Sequence, residues 1–149
     1  VHFIYLASLV CWLGSIVFFS FIAAPVIFKS LDRGPAGEVV GGIFPKYYGV
    51  GYVCSVFVLA TLLSQVPEVS MLKTGVLLFM MICNFVAGLG VHPRARQVKE
   101  QMRKTILPED RAPLEERFRK LHAVSVQLNG AVLVAGLGLL WLTGSGLQL

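Results

Sequence analysis

The stretch LHAVSVQLNGAVLVAGLGLLWLTGSGLQL, residues 121–149, runs for 29 residues without an Asp, Glu, Lys or Arg. A helix needs about 20 apolar residues to cross roughly 30 Å of hydrocarbon, so this segment alone is long enough to span a bilayer. It lacks the alternation of a barrel strand. Three further runs share its character: residues 74–93, 47–67 and 1–28 hold 20, 21 and 28 residues with no formal charge. The first of them has no basic leader and is too long for a signal-peptide core, and Pro25 directly follows Ala23 and Ala24, so it reads as a retained membrane helix.

Composition agrees with four spans. Of 149 residues 56% are hydrophobic and 14% charged, and the mean hydropathy is +0.74. Eight acidic and 13 basic residues cannot coat a globule in water, which excludes an ordinary soluble domain. The net charge of +5 comes from position rather than from a nucleic-acid surface. Lys29, Arg33 and Lys46 follow the first run, and Arg94, Arg96, Lys99, Arg103, Lys104, Arg111, Arg117, Arg119 and Lys120 follow the third, whereas Lys73 alone separates the second from the third. The positive-inside rule then predicts a multi-pass protein of the cell membrane with both termini outside and both basic segments cytoplasmic. Its expected partners are membrane lipids, through anionic headgroups, and a membrane-protein partner or a second copy; nucleic acid is not expected.

The expected fold is an all-α integral membrane protein, one domain over residues 1–149, with four transmembrane helices in an antiparallel bundle. The spans fall near residues 2–28, 47–66, 73–92 and 121–143. Residues 97–105 read as a polar helical continuation that Pro108 ends; Asp110 can cap the next segment, Pro113 suits a first helical turn, and helix four then projects about two turns into the cytoplasm. Small residues at Ala7, Cys11 and Ser15, at Ala87, Gly88 and Gly90, and at Ala131, Ala135, Gly136 and Gly138 favour close helix approach.

Counting eight residues inward from Phe28, Tyr47, His92 and Leu121 reaches Ser20, Ser55, Asn84 and Asn129. All four are polar, and at 1.5 Å per residue they would share a layer roughly 12 Å deep. Amides avoid lipid, so Asn84 and Asn129 are expected to turn inward and pair. His122, Ser125 and Asn129 fall on one side of helix four by their spacing, and His92 closes helix three at the same membrane face. Pro45 can open helix two, with Tyr47 and Tyr48 in the interfacial belt. Cys54 and Cys83 count to similar depths, with Met80 near Cys83 and Cys11 farther out; Cys54, Met80 and Cys83 are soft donors suited to Cu. Apart from Lys73 at the very end of the third, no Asp, Glu, Lys or Arg lies inside a span, and no nucleophile–base set, HExxH, Walker loop or GxGxxG occurs, so a side-chain-driven enzyme is not expected.

Several segments carry a family resemblance. Trp12-Leu13-Gly14-Ser15, Phe18-Phe19-Ser20-Phe21, Ala24-Pro25, Phe28-Lys29-Ser30-Leu31, Phe44-Pro45-Lys46-Tyr47-Tyr48, Pro93-Arg94 and the His122, Ser125, Asn129 spacing together resemble the transmembrane protein 205-like domain. The resemblance implies a four-helix membrane domain without an agreed activity and a link to soft-metal or drug export. Helix one is also similar to the copper-resistance CopD and haem-binding HemJ families, in which a helix-one histidine is important; here His2 stands ten residues before Trp12, a wider spacing.

The functional reading is a membrane binding or transport component with a cytoplasm-facing polar pocket built from Ser20, Pro45, Tyr47, Tyr48, Ser55, Asn84, His92, His122, Ser125 and Asn129. One alternative is a haem b protein or subunit, with His122 as axial ligand beside Arg119 and Lys120 for the propionates. Another is a structural subunit of a membrane complex. The orientation is testable first: in a chain otherwise free of cysteine, Leu147→Cys should label with an impermeant thiol reagent on intact cells and Glu100→Cys should not, and the reverse pattern inverts the topology.

Overall fold

The computed structural model describes residues 2–64 and 70–145. Val66, the expected end of the second span, and Leu147, the labelling position above, lie outside the described residues. Among the described residues four long helices are apolar enough to cross a membrane: α1 (His2–Ser30), α2 (Arg33–Leu63), α3 (Met71–Lys104) and α4 (Pro108–Gly144). Each packs along its neighbours in chain order, and α4 returns against α1 to close the bundle. Tyr5 and Thr143 are hydrogen bonded at 3.2 Å, which joins the start of α1 to the end of α4 at one end of the bundle. The basic residues gather at the other, hereafter the charged end.

The interior is tight. Leu9, Trp12, Val58, Leu77, Met80, Val132 and Leu139 are buried, while Phe18, Phe21 and Ile22 of α1 and Val53, Val56 and Phe57 of α2 face outward, as a lipid solvent allows. Three glycines, Gly51, Gly88 and Gly136, make the close approaches. A Cβ on Gly136 would meet the Leu13 side chain and, at 2.9 Å, the Met80 methyl; one on Gly88 would meet the Tyr52 hydroxyl and, at 2.9 Å, Cγ of Tyr48.

Two of the helices are not α-helical throughout. Phe18–Ala23 of α1 and Val86–Val91 of α3 are π-helical, and each stops just before an X-Pro step, Ala24-Pro25 and His92-Pro93. In both, the residue before the proline donates its N–H five residues back, Ala24 to Phe19 and His92 to Ala87. A proline ring in a helix clashes with the carbonyl four residues earlier and offers no N–H. A widened turn moves that carbonyl aside and keeps the neighbouring groups bonded, which is required where no water can substitute.

Three local expectations are corrected at the charged end. Pro45 does not open helix two but lies inside α2, which begins at Arg33 with Pro35 in its first turn. The added length is held by tertiary contacts: Ala36 and Val40 are buried, the Lys99 ammonium sits against Gly37, and Arg103 reaches Glu38 at 3.6 Å. Pro113 likewise lies inside α4, and Asp110 is a first-turn acid rather than its cap. The helix starts at Pro108, whose missing N–H costs nothing there, and Glu109 and Asp110 complement the positive end of the dipole. The extension of α4 is therefore longer than two turns, and pairs such as Arg111–Glu115 and Lys120–Glu116, both 2.9 Å, lie along it. The polar continuation of α3 runs to Lys104, where Thr105 ends it.

The two kinds of glycine in α3 give a test. Gly88→Ala must displace a tyrosine ring and should cost about 1–3 kcal/mol of stability. Gly90→Ala meets nothing within 4 Å and should stay within about 0.5 kcal/mol of wild type. Thermal or denaturant unfolding in one detergent compares them directly.

Candidate functional site

Tyr47 and Tyr48 are consecutive on α2, so their side chains leave the helix about 100° apart and enter the interior on two sides. Both are buried, and both reach α4. Tyr47 donates its hydroxyl to Asn129 Oδ1 at 3.0 Å. Asn129 Nδ2 donates to the Tyr48 hydroxyl at 3.3 Å and to the Ser125 carbonyl at 3.0 Å, and Tyr48 Oη lies 2.9 Å from Ser125 Oγ. Either hydroxyl of the Tyr48–Ser125 pair can be the donor. The rings extend the cluster toward the charged end. Phe44 lies 5.3 Å from Phe19, 5.3 Å from the His92 imidazole and 5.9 Å from Tyr48, and Tyr48 lies 6.0 Å from His92. The site is thus an aromatic box with a hydrogen-bonded floor, flanked by both π segments through Phe19 and Gly88.

Next to it lies a second polar group of different character. Gly51, one turn along α2 from Tyr48, leaves its face bare to two side chains. A Cβ there would stand 2.9 Å from Trp12 Nε1, 2.7 Å from Asn84 Nδ2 and 2.9 Å from Asn84 Oδ1. Asn84 is 3% exposed and its Nδ2 has no acceptor; the Tyr52 hydroxyl, beside Gly88 and on a ring stacked 4.7 Å from Phe85, is also buried without a partner. Unpaired donors in a low-dielectric interior are costly, roughly 1–3 kcal/mol each.

The polar layer expected from depth counting, Ser20, Ser55, Asn84 and Asn129, does not assemble as a bonded set, and the expected pocket residues are brought together in part. Tyr47, Tyr48, Ser125 and Asn129 come together, with His92 against their aromatic wall. Asn84 does not pair with Asn129, whose amide bonds Tyr47, Tyr48 and the Ser125 carbonyl instead. Ser20 is exposed on the π segment, level with Phe44 through its neighbour Phe19, and Ser55 is fully buried and donates to the Tyr52 carbonyl at 2.8 Å. The count assumed helix ends at one level, whereas α2, α3 and α4 all continue past the residues chosen.

His122 stands apart from the box. It is exposed and stacks along Phe118, with ring centroids 6.4 Å apart, while Ser125 one turn on is buried. An axial contact from His122 would fall outside the bundle rather than in an interior slot, so the residues present do not fit a haem held between α3 and α4. Pro45 is exposed. Cys54, Met80 and Cys83 are buried, and Cys11 is exposed. Among the described residues no three His, Cys, Asp or Glu side chains gather as a metal site. Trp12, Gly51 and Tyr52 were missed as site residues; the Tyr48, Gly51, Tyr52 spacing along one helix face was the available signal.

Residues 7–104 match the model of a family described as a domain of unknown function, DUF4149, and the chain belongs to that family. An uncharacterized protein of Aquifex aeolicus (strain VF5) is 33% identical over 135 residues, covering 89% of each chain. No solved structure matches. The match covers α1 to α3 and leaves α4, with Ser125 and Asn129, beyond it. In its coarser form, a membrane domain without assigned function, the resemblance drawn from the sequence agrees with this family.

The two asparagines should behave oppositely. Asn129→Leu strands three partners and should destabilise by about 1–3 kcal/mol, whereas Asn84→Leu removes an unpaired donor and should be neutral or stabilising. A cycle of Asn129→Leu with Tyr47→Phe should show a coupling of about 0.6–1.7 kcal/mol in unfolding measurements, and strict additivity would remove the bond from the account.

Proposed function

We propose that the domain is a binding or transport component that takes a small hydrogen-bonding solute into the charged half of its bundle, from the cytoplasm. Three features support this reading. The Lys and Arg distribution favours a cytoplasmic charged end, with twelve of the 13 basic residues on that side. The Tyr47, Tyr48, Ser125 and Asn129 network offers hydroxyl and amide groups that exchange partners readily, with the half-buried His92 at its outer edge. The observation that carries the reading is Asn84, a buried donor without an acceptor beside the tyrosine network. A polar group kept unpaired in the membrane interior is a functional feature by default.

On this reading His92 and Phe44 form the entry, and the tyrosine hydroxyls hand the solute's polar atoms inward to Asn84 and Trp12 Nε1. The chemistry suits an uncharged or singly charged solute bearing a hydrogen-bond acceptor, because no ionised side chain stands inside the box to match a second charge. The finer resemblance to transmembrane protein 205-like domains would make the cargo a soft metal ion or a drug-like molecule.

Access can be measured without knowing the solute. In a chain with its native cysteines replaced by alanine, Ser125→Cys should react with a membrane-impermeant methanethiosulfonate in inside-out vesicles at least tenfold faster than Val132→Cys, which is buried deeper along α4. Equal inertness of the two thiols would close the pocket and remove the reading.

A further inference from the structure

Three amide side chains lie among the described residues of the charge-free runs: Asn84, Gln127 and Asn129. Asn84 is buried and Asn129 bonds inward, whereas Gln127, on α4 between the two residues that hold Tyr48 and Tyr47, is exposed. Its neighbours Val124, Val126 and Val134 are exposed and apolar, the character of a lipid-facing surface. A carboxamide turned toward hydrocarbon is costly unless another polar group meets it. Among the described residues of the same runs, the outward faces of α1, α2 and α3 carry no amide and no Asp, Glu, Lys or Arg. The mismatch with lipid is confined to α4.

Gln127 belongs to a regular stripe. Ala123, Gln127, Gly130, Val134, Leu137 and Trp141 recur at alternating spacings of four and three, and all are exposed, Val134 at 72% and Trp141 at 76%. The buried residues Ser125, Val132, Gly136 and Leu139 lie on the opposite side of the same helix. A repeat of 3.5 residues is the seam of a left-handed helix pair, and α4 is α-helical without interruption along it, unlike α1 and α3. Gly130 is bare for no internal reason: a Cβ there would meet nothing within 4 Å. The chain's own packing does not require a glycine that weakens the helix, whereas a backbone approaching from outside does. Past the charge-free run the stripe continues at the same spacing through Lys120 and Glu116, which are ion-paired at 2.9 Å, so it brings no net charge to a neighbour.

We propose that this stripe is the interface of a homodimer, in which α4 helices of two copies pack in parallel about a twofold axis along the bilayer normal. The chemistry of Gln127 selects the occupant. A carboxamide carries both donors and an acceptor, so two of them face to face satisfy one another. Two copies insert the same way and hold Gln127 at one depth, and a twofold axis brings identical residues together. Gly130 then lets the backbones approach while Val134 and Leu137 of each copy interlock with the other. An acyl chain covers the apolar positions equally well but offers the amide nothing. The stripe faces away from the tyrosine network, so the dimer is independent of the pocket and of the reading drawn from it.

The test uses the full chain with its native cysteines replaced by alanine, oxidised with copper phenanthroline in native membranes. Val134→Cys on the stripe and Val126→Cys beside it are both exposed to lipid, so random collision cross-links them equally. Expected is a disulfide dimer that forms at least tenfold faster from Val134→Cys than from Val126→Cys. In lipid vesicles, energy transfer between labelled copies should report a monomer–dimer equilibrium that Gln127→Leu weakens at least fivefold, while Phe57→Leu, an exposed change on α2, leaves it within twofold. Equal cross-linking at the two positions, or a dimer indifferent to Gln127→Leu, would overturn the interface. Absence of energy transfer at every protein-to-lipid ratio would overturn it and leave lipid as the covering. A Val134→Cys product with a different protein and none with itself would overturn it in favour of a foreign partner. Should Gln127→Leu fail to fold, the cross-linking ratio decides the matter alone.

Discussion

A single carboxamide organises the charged half of this bundle. Asn129 uses its oxygen for Tyr47 and its nitrogen for Tyr48 and the Ser125 carbonyl, so one side chain of α4 fixes two consecutive tyrosines of α2. Without a hydrophobic force to join helices in lipid, such bonds and close glycine contacts supply the specificity of packing. The tyrosine rings, once fixed, set the rest: Phe44, Phe19 and His92 pack around them, and Gly88 must be bare because Tyr48 and Tyr52 occupy the space a side chain would need. Asn84 lies outside this arrangement. Its unpaired donor and the unpaired Tyr52 hydroxyl mark where the network is incomplete.

The two π segments follow from the same poverty of alternatives. Pro25 and Pro93 sit in helices that continue past them, and a broken backbone would leave carbonyls bare in an apolar medium. Bonding five residues back keeps the helix continuous. Because both segments abut the aromatic box, the irregular turns and the polar cluster occupy one region, while the half toward Tyr5 and Thr143 is regular and apolar.

How much of this was legible can be stated by residue. The number of spans and their class followed from charge-free runs, which integrate over 20 residues and tolerate local error. Asn129 was legible because an amide in lipid must turn inward, and Ser125 because it shares that side of helix four; Tyr47 and Tyr48 were expected in the interfacial belt, whereas both are buried. The ends of the helices were not found, since α2, α3 and α4 continue as charged or mixed helices held by contacts such as Lys99 on Gly37 that no hydropathy window detects. That error propagated: depths counted from false ends placed Asn84 against Asn129, to which it is not bonded. His122 was misjudged differently. Its spacing from Ser125 and Asn129 is sound, but a site at the rim of a bundle needs a neighbour to enclose it, and the neighbour it has is Phe118 on its own helix.

The π turns have a further consequence, one of phase. Each inserts about one residue beyond the α repeat, so everything past it is rotated by roughly 100° relative to a wheel drawn straight through the helix. The segments after Ala23 and after Val91 therefore present different faces from those that the first halves of α1 and α3 would project. Seen this way, each helix is two cylinders joined by a fixed swivel. A chain shortened by one residue inside either π segment would keep its charges and its spans, yet turn its charged-end half through about a quarter of a circle.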